Sequence, residues 1–265
     1  MTDSFFRNYL ITNERFEQRH GVFYQRDLPL SLPFEKTYTA LRLQEGRLYP
    51  DEVVATLPWI DVNHPFAKEW AIRSSSLARL VRHLRQLNPQ SILEIGCGNG
   101  WLIYNIQQQV GADCCGIDIN ELELRQAASV FGKNKNLSFV YGNIADHIFE
   151  GATVDVIILA SVIQYFRDPV TLFEELVRLV NPGGEVHVLD SPVYSSYNVA
   201  AAHERSARYF TESGNHPMQS CYFHHTRDIF SKFNVSTMYN PHSWTNRALR
   251  KMSNRSPFPW IVIKK

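Results

Sequence analysis

From about residue 90 to residue 190, apolar runs of strand length alternate with stretches whose apolar positions recur at helical spacing. Such alternation predicts an α/β fold, a parallel sheet with helices on both faces. The first run, Ser91 to Ile95, leads into Gly96-Cys97-Gly98-Asn99-Gly100 and then a helix from Trp101 to Val110 that Gly111 stops. Leu102, Ile103, Ile106 and Val110 supply its inward stripe. A second strand, Asp113 to Ile119, gives way at Asn120 to a helix that ends at Gly132; Asn120 is a good N-cap, with Glu123 as its capping-box partner. Leu137 to Tyr141 is the third strand, and Val154 to Ala160, the most apolar, is expected at the buried centre of the sheet. Asp168-Pro169 opens a helix through Val180, the turn Asn181-Pro182-Gly183-Gly184 follows, and a fifth strand covers Glu185 to Leu189.

The N-terminal region shows little strand character and holds Pro-rich loops around residues 28–33 and 58–65. Its last helix is clear, because Trp70, Leu77, Leu80, Val81, Leu84 and Leu87 share one face; Arg79, Arg82 and Arg85 are expected on the solvated outside. After the fifth strand, Tyr197 to Phe210 and Thr226 to Phe233 read as helices, and Asn234 to Tyr239 and Trp260 to Ile263 as closing strands. The expected division is an N-terminal helical extension, 1–88, and a core, 89–265, with a lid-like insertion at about 193–225.

Composition narrows the partners. The 265 residues suit one large domain or two small ones, at about 100–200 residues per domain. With 27 Lys and Arg against 26 Asp and Glu, the chain lacks the basic excess of a dedicated nucleic-acid binder. No apolar run approaches the roughly 20 residues of a membrane-spanning helix. The N-terminus carries no apolar signal core either, so a cytoplasmic protein without membrane contact is expected. Cys97, Cys114, Cys115 and Cys221 form no C-x-x-C pair and read as reduced and mostly buried, with no metal site expected.

Candidate chemistry begins at the glycine loop, which follows a strand and opens a helix, the setting in which such loops bind nucleotide-like ligands. A dinucleotide fingerprint needs a third glycine where this chain has Trp101, which argues against a pyrophosphate and a nicotinamide oxidoreductase. There is no Walker loop. Glu94 and Asp118 end the first two strands: Asp118 can accept from both hydroxyls of a ribose, and Glu94 beside the loop suits a cationic ligand better than a phosphate.

With E-I-G-C-G-N-G at 94–100, G-I-D-I at 116–119, Y-G-N-I at 141–144, D-V-I-I-L-A-S-V-I at 155–163 and P-G-G at 182–184, the sequence resembles the class I S-adenosylmethionine-dependent methyltransferases over residues 70–190. The resemblance implies a doubly wound, mostly parallel, Rossmann-like sheet of seven strands with an antiparallel last strand, and S-adenosylmethionine as cofactor. It places Glu94, Gly96, Cys97 and Gly98 at the aminoacid end of the cofactor, and Asp118 at the ribose with Ile119 against the adenine. Asn143, where the family often has Asp, and Ile144 fall at the adenine edge, and Ala160 beside the methionine portion. Arg73 is read either as a partner of the cofactor carboxylate or as a surface residue.

The implied reaction is transfer of a methyl group to an oxygen or nitrogen of a small-molecule acceptor, where catalysis rests on positioning and needs a base only for a poorly nucleophilic acceptor. His203, His224 and His225 are the candidates for that base, with Gln164 and Tyr165 after the fourth strand; Gln164 stands where many small-molecule members have His. The Asp/Asn-Pro-Pro-Tyr mark of base-amino methylases is missing, since Ala160-Ser161-Val162-Ile163 stands there, and no Pro-Cys pair offers the nucleophile of a cytosine carbon methylase. Aromatic residues from Tyr194 to Phe223 suit either a pocket for a flat acceptor or a packed lid. The basic run Arg247, Arg250, Lys251, Arg255 reads as a solvated loop. A non-catalytic cofactor-binding partner subunit and a methyltransferase acting on protein or RNA stay open as alternatives.

Overall fold

A computed structural model describes residues 4–246 and 254–265. The N-terminal segment comprises α1 (Phe5–Thr12), a hairpin of β1 (Phe16–Arg19) and β2 (Val22–Gln25), α2 (Pro33–Gln44), α3 (Asp51–Val54) and α4 (Ala67–Leu87). The alternating part follows as β3 (Ser91–Ile95), α5 (Trp101–Val110), β4 (Asp113–Asp118), α6 (Glu121–Phe131), β5 (Leu137–Tyr141), β6 (Val154–Ala160), α7 (Pro169–Leu179) and β7 (Val180–Leu189). Then come β8 (Val193–Tyr194), α8 (Val199–Glu212), β9 (His225–Thr226), β10 (Val235–Tyr239) and β11 (Trp260–Lys264).

Among the described residues, nine strands form one sheet in the order β1-β2-β5-β4-β3-β6-β7-β11-β10. The strands from β2 to β7 in that order pair in parallel, whereas β11 is antiparallel to both β7 and β10. The expectation of seven strands is corrected to nine. The two extra strands are the hairpin around His20 and Gly21, both at positive φ, whose β2 adds to the edge at β5. Each hairpin strand has only four residues, too short a span for alternation to be read against the surrounding polar sequence. The helix expected over Thr226 to Phe233 is instead the short strand β9 followed by a single 3₁₀ turn at Arg227–Phe230.

Because successive side chains of a strand point to opposite faces, the core is split by the sheet. Ile92, Cys114, Phe139 and Val156 meet α4, α5 and α6 through Leu80, Leu84, Ile103, Ile106, Leu124 and Phe131. Leu93, Cys115, Val140 and Ile157 meet α1 and α7 through Phe6, Leu10, Leu172, Phe173 and Leu176. The caps behave as the sequence dictates: Asn120 accepts from the Glu123 N–H, and Asp168 from the N–H groups of Val170 and Thr171. Arg82 and Arg85 are exposed, but Arg79 turns inward, donating to Ser75 and Ser76 and stacking on Tyr239. Among the described residues no helix is long and apolar enough to cross a membrane.

Candidate active site

The chain runs from β3 outward to β4 and β5 on one side of the sheet, then returns to β6 and β7 on the other. That reversal leaves a crevice beyond the carboxyl ends of β3 and β6, where open sheets of this kind bind ligands. A cavity of about 500 Å³ lies there. Its floor is the glycine loop with the ends of β4, β5 and β6, and its roof is α2, α4 and the segment 220–223.

The loop is held from below. The N–H groups of Gly96 and Cys97 donate to the Ile117 carbonyl at 2.8 and 3.2 Å, and that of Gly98 to Asp118 Oδ2 at 2.7 Å. Gly96 has φ +71°, and a Cβ there would lie 2.4 Å from Val162 Cγ2, so only glycine fits between β3 and the end of β6.

Three carboxylates line the floor. Glu94 is 3% exposed; its Oε2 has no partner among the described residues, and burial pushes its pKa well above the usual carboxylate range against one N–H bond from Ile103. Asp118 is also raised by burial, against the N–H groups of Gly98, Asn120 and Ile119. Glu123 is pushed up to about 7 by burial and by Asp118, against Arg42, Arg73 and Asn120.

The roof is cationic and aromatic. Phe34, Tyr38 and Arg42 recur every fourth residue of α2 and so share one face of it. Arg47 binds Glu69 through both terminal nitrogens, at 2.9 and 2.8 Å, and Arg73 reaches Glu69 through Nε and Nη2. Burial would raise the Glu69 pKa, but these two arginines outweigh it and hold it at about 2. Glu45 takes Arg42 at 3.0 Å and Arg47 at 3.2 Å.

All the residues expected at the cofactor line this one cavity: Glu94, Gly96, Cys97, Gly98, Asp118, Ile119, Asn143, Ile144, Ala160 and Arg73. Asn143 also serves its own turn, accepting from the Ala145 N–H and donating to Asp146. Of the residues considered after the fourth strand, Tyr165 faces the cavity, whereas Gln164 is buried and donates to the Ser161 carbonyl.

The three histidines lie elsewhere. His225 is buried, its Nε2 between the carbonyls of Ile163 (3.1 Å) and Phe166 (3.0 Å). His203 and His224, with ring centroids 5.3 Å apart, line a neighbouring pocket of about 400 Å³ that shares Arg167, Ser220 and Phe223 with the main cavity. Burial and the other two histidines lower the pKa of His224. Arg247, Arg250 and Lys251 of the basic run lie outside the described residues.

Sequence reasoning missed Tyr38, Arg42 and Trp70 as cavity residues and read Glu123 only as a cap. The recurrence of Phe34, Tyr38 and Arg42 at every fourth position was a usable signal. Their burial under a roof was not.

Residues 93–188 match the family described as Methyltransferase domain. The chain is 28% identical over 126 residues to a demethylmenaquinone methyltransferase of Lactococcus lactis, covering 44% of this chain and 50% of that protein. It is 26% identical over 155 residues to a ubiquinone biosynthesis O-methyltransferase of Erwinia tasmaniensis, covering 57% of this chain and 63% of that one. The matches thus span half to under two thirds of these relatives. Among solved structures, magnesium protoporphyrin IX methyltransferase from Synechocystis PCC 6803 with bound SAH superposes with a TM-score of 0.56 at 14% identity, covering 87% of this chain and 99% of that one; it shows the shared fold.

Proposed function

We propose that this chain, whose alternating core is that of the class I S-adenosylmethionine-dependent methyltransferases, binds S-adenosylmethionine in the cleft and passes its methyl group to an oxygen or nitrogen of a small-molecule acceptor. The observation that carries the reading is the unpartnered, fully buried Glu94 Oε2 beside a glycine loop. A buried acceptor atom without a donor costs free energy, and an ammonium group there would satisfy it. Arg73, across the cleft, would take the carboxylate of the same aminoacid end with the donors that Glu69 leaves free. Asp118 would accept from the ribose, and Ile119, Asn143 and Ile144 would border the adenine. A phosphate group fits worse beside the loop, because it brings acceptors and no donor for Glu94 Oε2.

When bound, the cofactor supplies a methyl group activated by its sulfonium. The chain's own part is to exclude water beneath α2 and the 220–223 segment and to orient the acceptor near Ala160 and Tyr165. His203 and His224 would act as bases only on an acceptor that extends through the shared wall into the second pocket. The placement of all three histidines outside the cleft favours a second reading, a cofactor-binding partner subunit without turnover of its own.

Calorimetric titration with S-adenosylmethionine, S-adenosylhomocysteine and NADH tests the first reading. Micromolar binding of the first two and none of NADH is expected, with Asp118→Ala abolishing it while the fold is retained. Binding of NADH alone overturns the assignment. A methyl-transfer screen of small acceptors, sought in the isolated chain, separates enzyme from subunit.

A further inference from the structure

We propose that Glu123 is a specificity residue of the donor site, distinguishing the cationic methyl donor from its uncharged sulfide product and making that discrimination depend on pH. The inference rests on the cofactor reading above and concerns a side chain that the resemblance does not assign.

Charge matching within the cleft isolates this residue. Of the arginines lining the cleft, Arg42, Arg47 and Arg73 face Glu45 and Glu69 while Arg167 lies over Phe223, which leaves positive charge for the carboxylate of the aminoacid end. Glu94 is left for its ammonium. Asp118 has both oxygens engaged by the backbone, Oδ2 by Gly98 and Oδ1 by Asn120. Asp190, also in the lining, accepts from Ser76 and is opposed by Arg79. Glu123 is the floor carboxylate held neither by a pair of backbone donors nor by an arginine in contact, since Arg42 and Arg73 act on it while paired with Glu45 and Glu69, and the sulfonium is the donor charge without a matched anion.

The geometry puts Glu123 within the donor site. It stands in the first turn of α6, where Asn120 Nδ2 holds its Oε2 at 2.8 Å. Both carboxylate oxygens lie 3.5 Å from where a Cβ on Gly98 would sit, so the side chain overhangs the loop. The charged and titratable groups around it are Asp118 and Cys97 from the floor, Tyr38 and Arg42 from α2, Arg73 from α4 and Tyr165 from the segment after β6. Burial and Asp118 oppose its ionisation while Arg42 and Arg73 favour it, which holds it at about 7 in the free protein. One further positive charge nearby favours the ionised form. Binding of the cationic donor therefore releases a proton from Glu123, and binding of the sulfide, identical in ribose, adenine, ammonium and carboxylate, releases less.

Linkage sets the size of the effect. If the donor lowers the Glu123 value by about one unit, its affinity relative to that of the product rises about fivefold between pH 6 and pH 8. The experiment is calorimetric titration of the full chain with S-adenosylmethionine and S-adenosylhomocysteine at pH 6, 7 and 8, in two buffers of different ionisation enthalpy, for the wild type and for Glu123→Gln. The expected result is a ratio of affinities that climbs with pH in the wild type, net proton release specific to S-adenosylmethionine, and a flat ratio in Glu123→Gln. A flat ratio in the wild type overturns the proposal, as does a climbing ratio that survives the substitution. If neither ligand binds the wild type, the cofactor reading itself fails. Should Glu123→Gln not fold, the proton release of the wild type still decides: release with the donor and not with the product supports the proposal, and equal release with both overturns it.

Discussion

At the scale of single residues, the histidine pair in C-Y-F-H-H-T shows how one motif divides into two roles. His225 is turned into the protein, where its Nε2 faces the backbone carbonyl of Phe166 and that of Ile163, which also takes the Phe166 N–H at 3.1 Å, and burial lowers its pKa so that the ring stays neutral. His224 faces the second pocket, 2.9 Å from Ser206 Oγ. His225→Ala should therefore cost stability, about 1–3 kcal/mol for the Phe166 carbonyl that loses the ring's N–H. At about 2–4 °C per kcal/mol for a chain of this size, several degrees of melting temperature are expected, with unchanged affinity for S-adenosylhomocysteine. An unchanged melting temperature with lost methyl transfer would instead make His225 a catalytic residue. Neighbouring positions in sequence cannot announce this difference, because it depends on which carbonyls the surrounding loops bring near each ring.

At the scale of elements, α4 is fastened to the sheet by a buried polar cluster. His83 Nε2 lies 2.6 Å and His187 Nε2 3.1 Å from Glu185 Oε2, and the Trp260 indole N–H donates to His187 Nδ1 at 3.2 Å. With Nδ1 accepting, the single proton of the neutral His187 ring sits on Nε2. Burial lowers the His187 pKa below 6.5, its ordinary value. Burial would raise Glu185, but the neighbouring rings of His187 and His83 outweigh it and hold Glu185 at about 2, against an ordinary value of 4.5.

The signs of the two contributions agree. His187 supports folding above pH 6.5, and its contribution fades as the pH falls from there through its folded value, because the unfolded chain takes up the proton first. Glu185 supports folding above pH 4.5 and loses its contribution as the pH falls toward 2. The cleft carboxylates with raised values act in the opposite sense, so the test is the difference between two proteins: with melting temperatures recorded from pH 8 to pH 4, the wild type should lose more below pH 6.5 than His187→Gln does. Parallel curves would remove the cluster from the account.

At the scale of the molecule, the N-terminal extension is built into the sheet and over the cleft. Phe23 and Tyr24 of β2 pair with Val140 and Tyr141 of β5, Phe6 packs on Phe149, and Val54 and Leu57 sit in the same core as α4 and α5. Gln25 accepts from the Asn143 N–H, which couples the hairpin to a cavity residue. Removal of residues 1–66 would leave β5 as a bare edge and uncover the roofed face, and unpaired edges template aggregation. The shortened chain should be aggregated or non-cooperative on heating and should not bind S-adenosylhomocysteine. A monomer with cooperative melting and wild-type affinity, seen by gel filtration and calorimetry, would make the extension separable from the core.

The sequence by itself determined the alternating core, the glycine loop, the caps at Asn120 and Asp168 and the carboxylates at the ends of β3 and β4. Each of these is set by local spacing: period-two and period-3.6 burial, positive φ at glycine, and the parallel-sheet rule that strand ends converge at the reversal of order. Tertiary structure alone decided that the β1–β2 hairpin extends the sheet, that Phe34, Tyr38 and Arg42 roof the cleft, that Glu123 faces Arg42 and Arg73, and that His225 points inward. These depend on contacts between residues far apart in the chain, and short amphipathic segments and isolated polar side chains carry no local record of the partner they will meet.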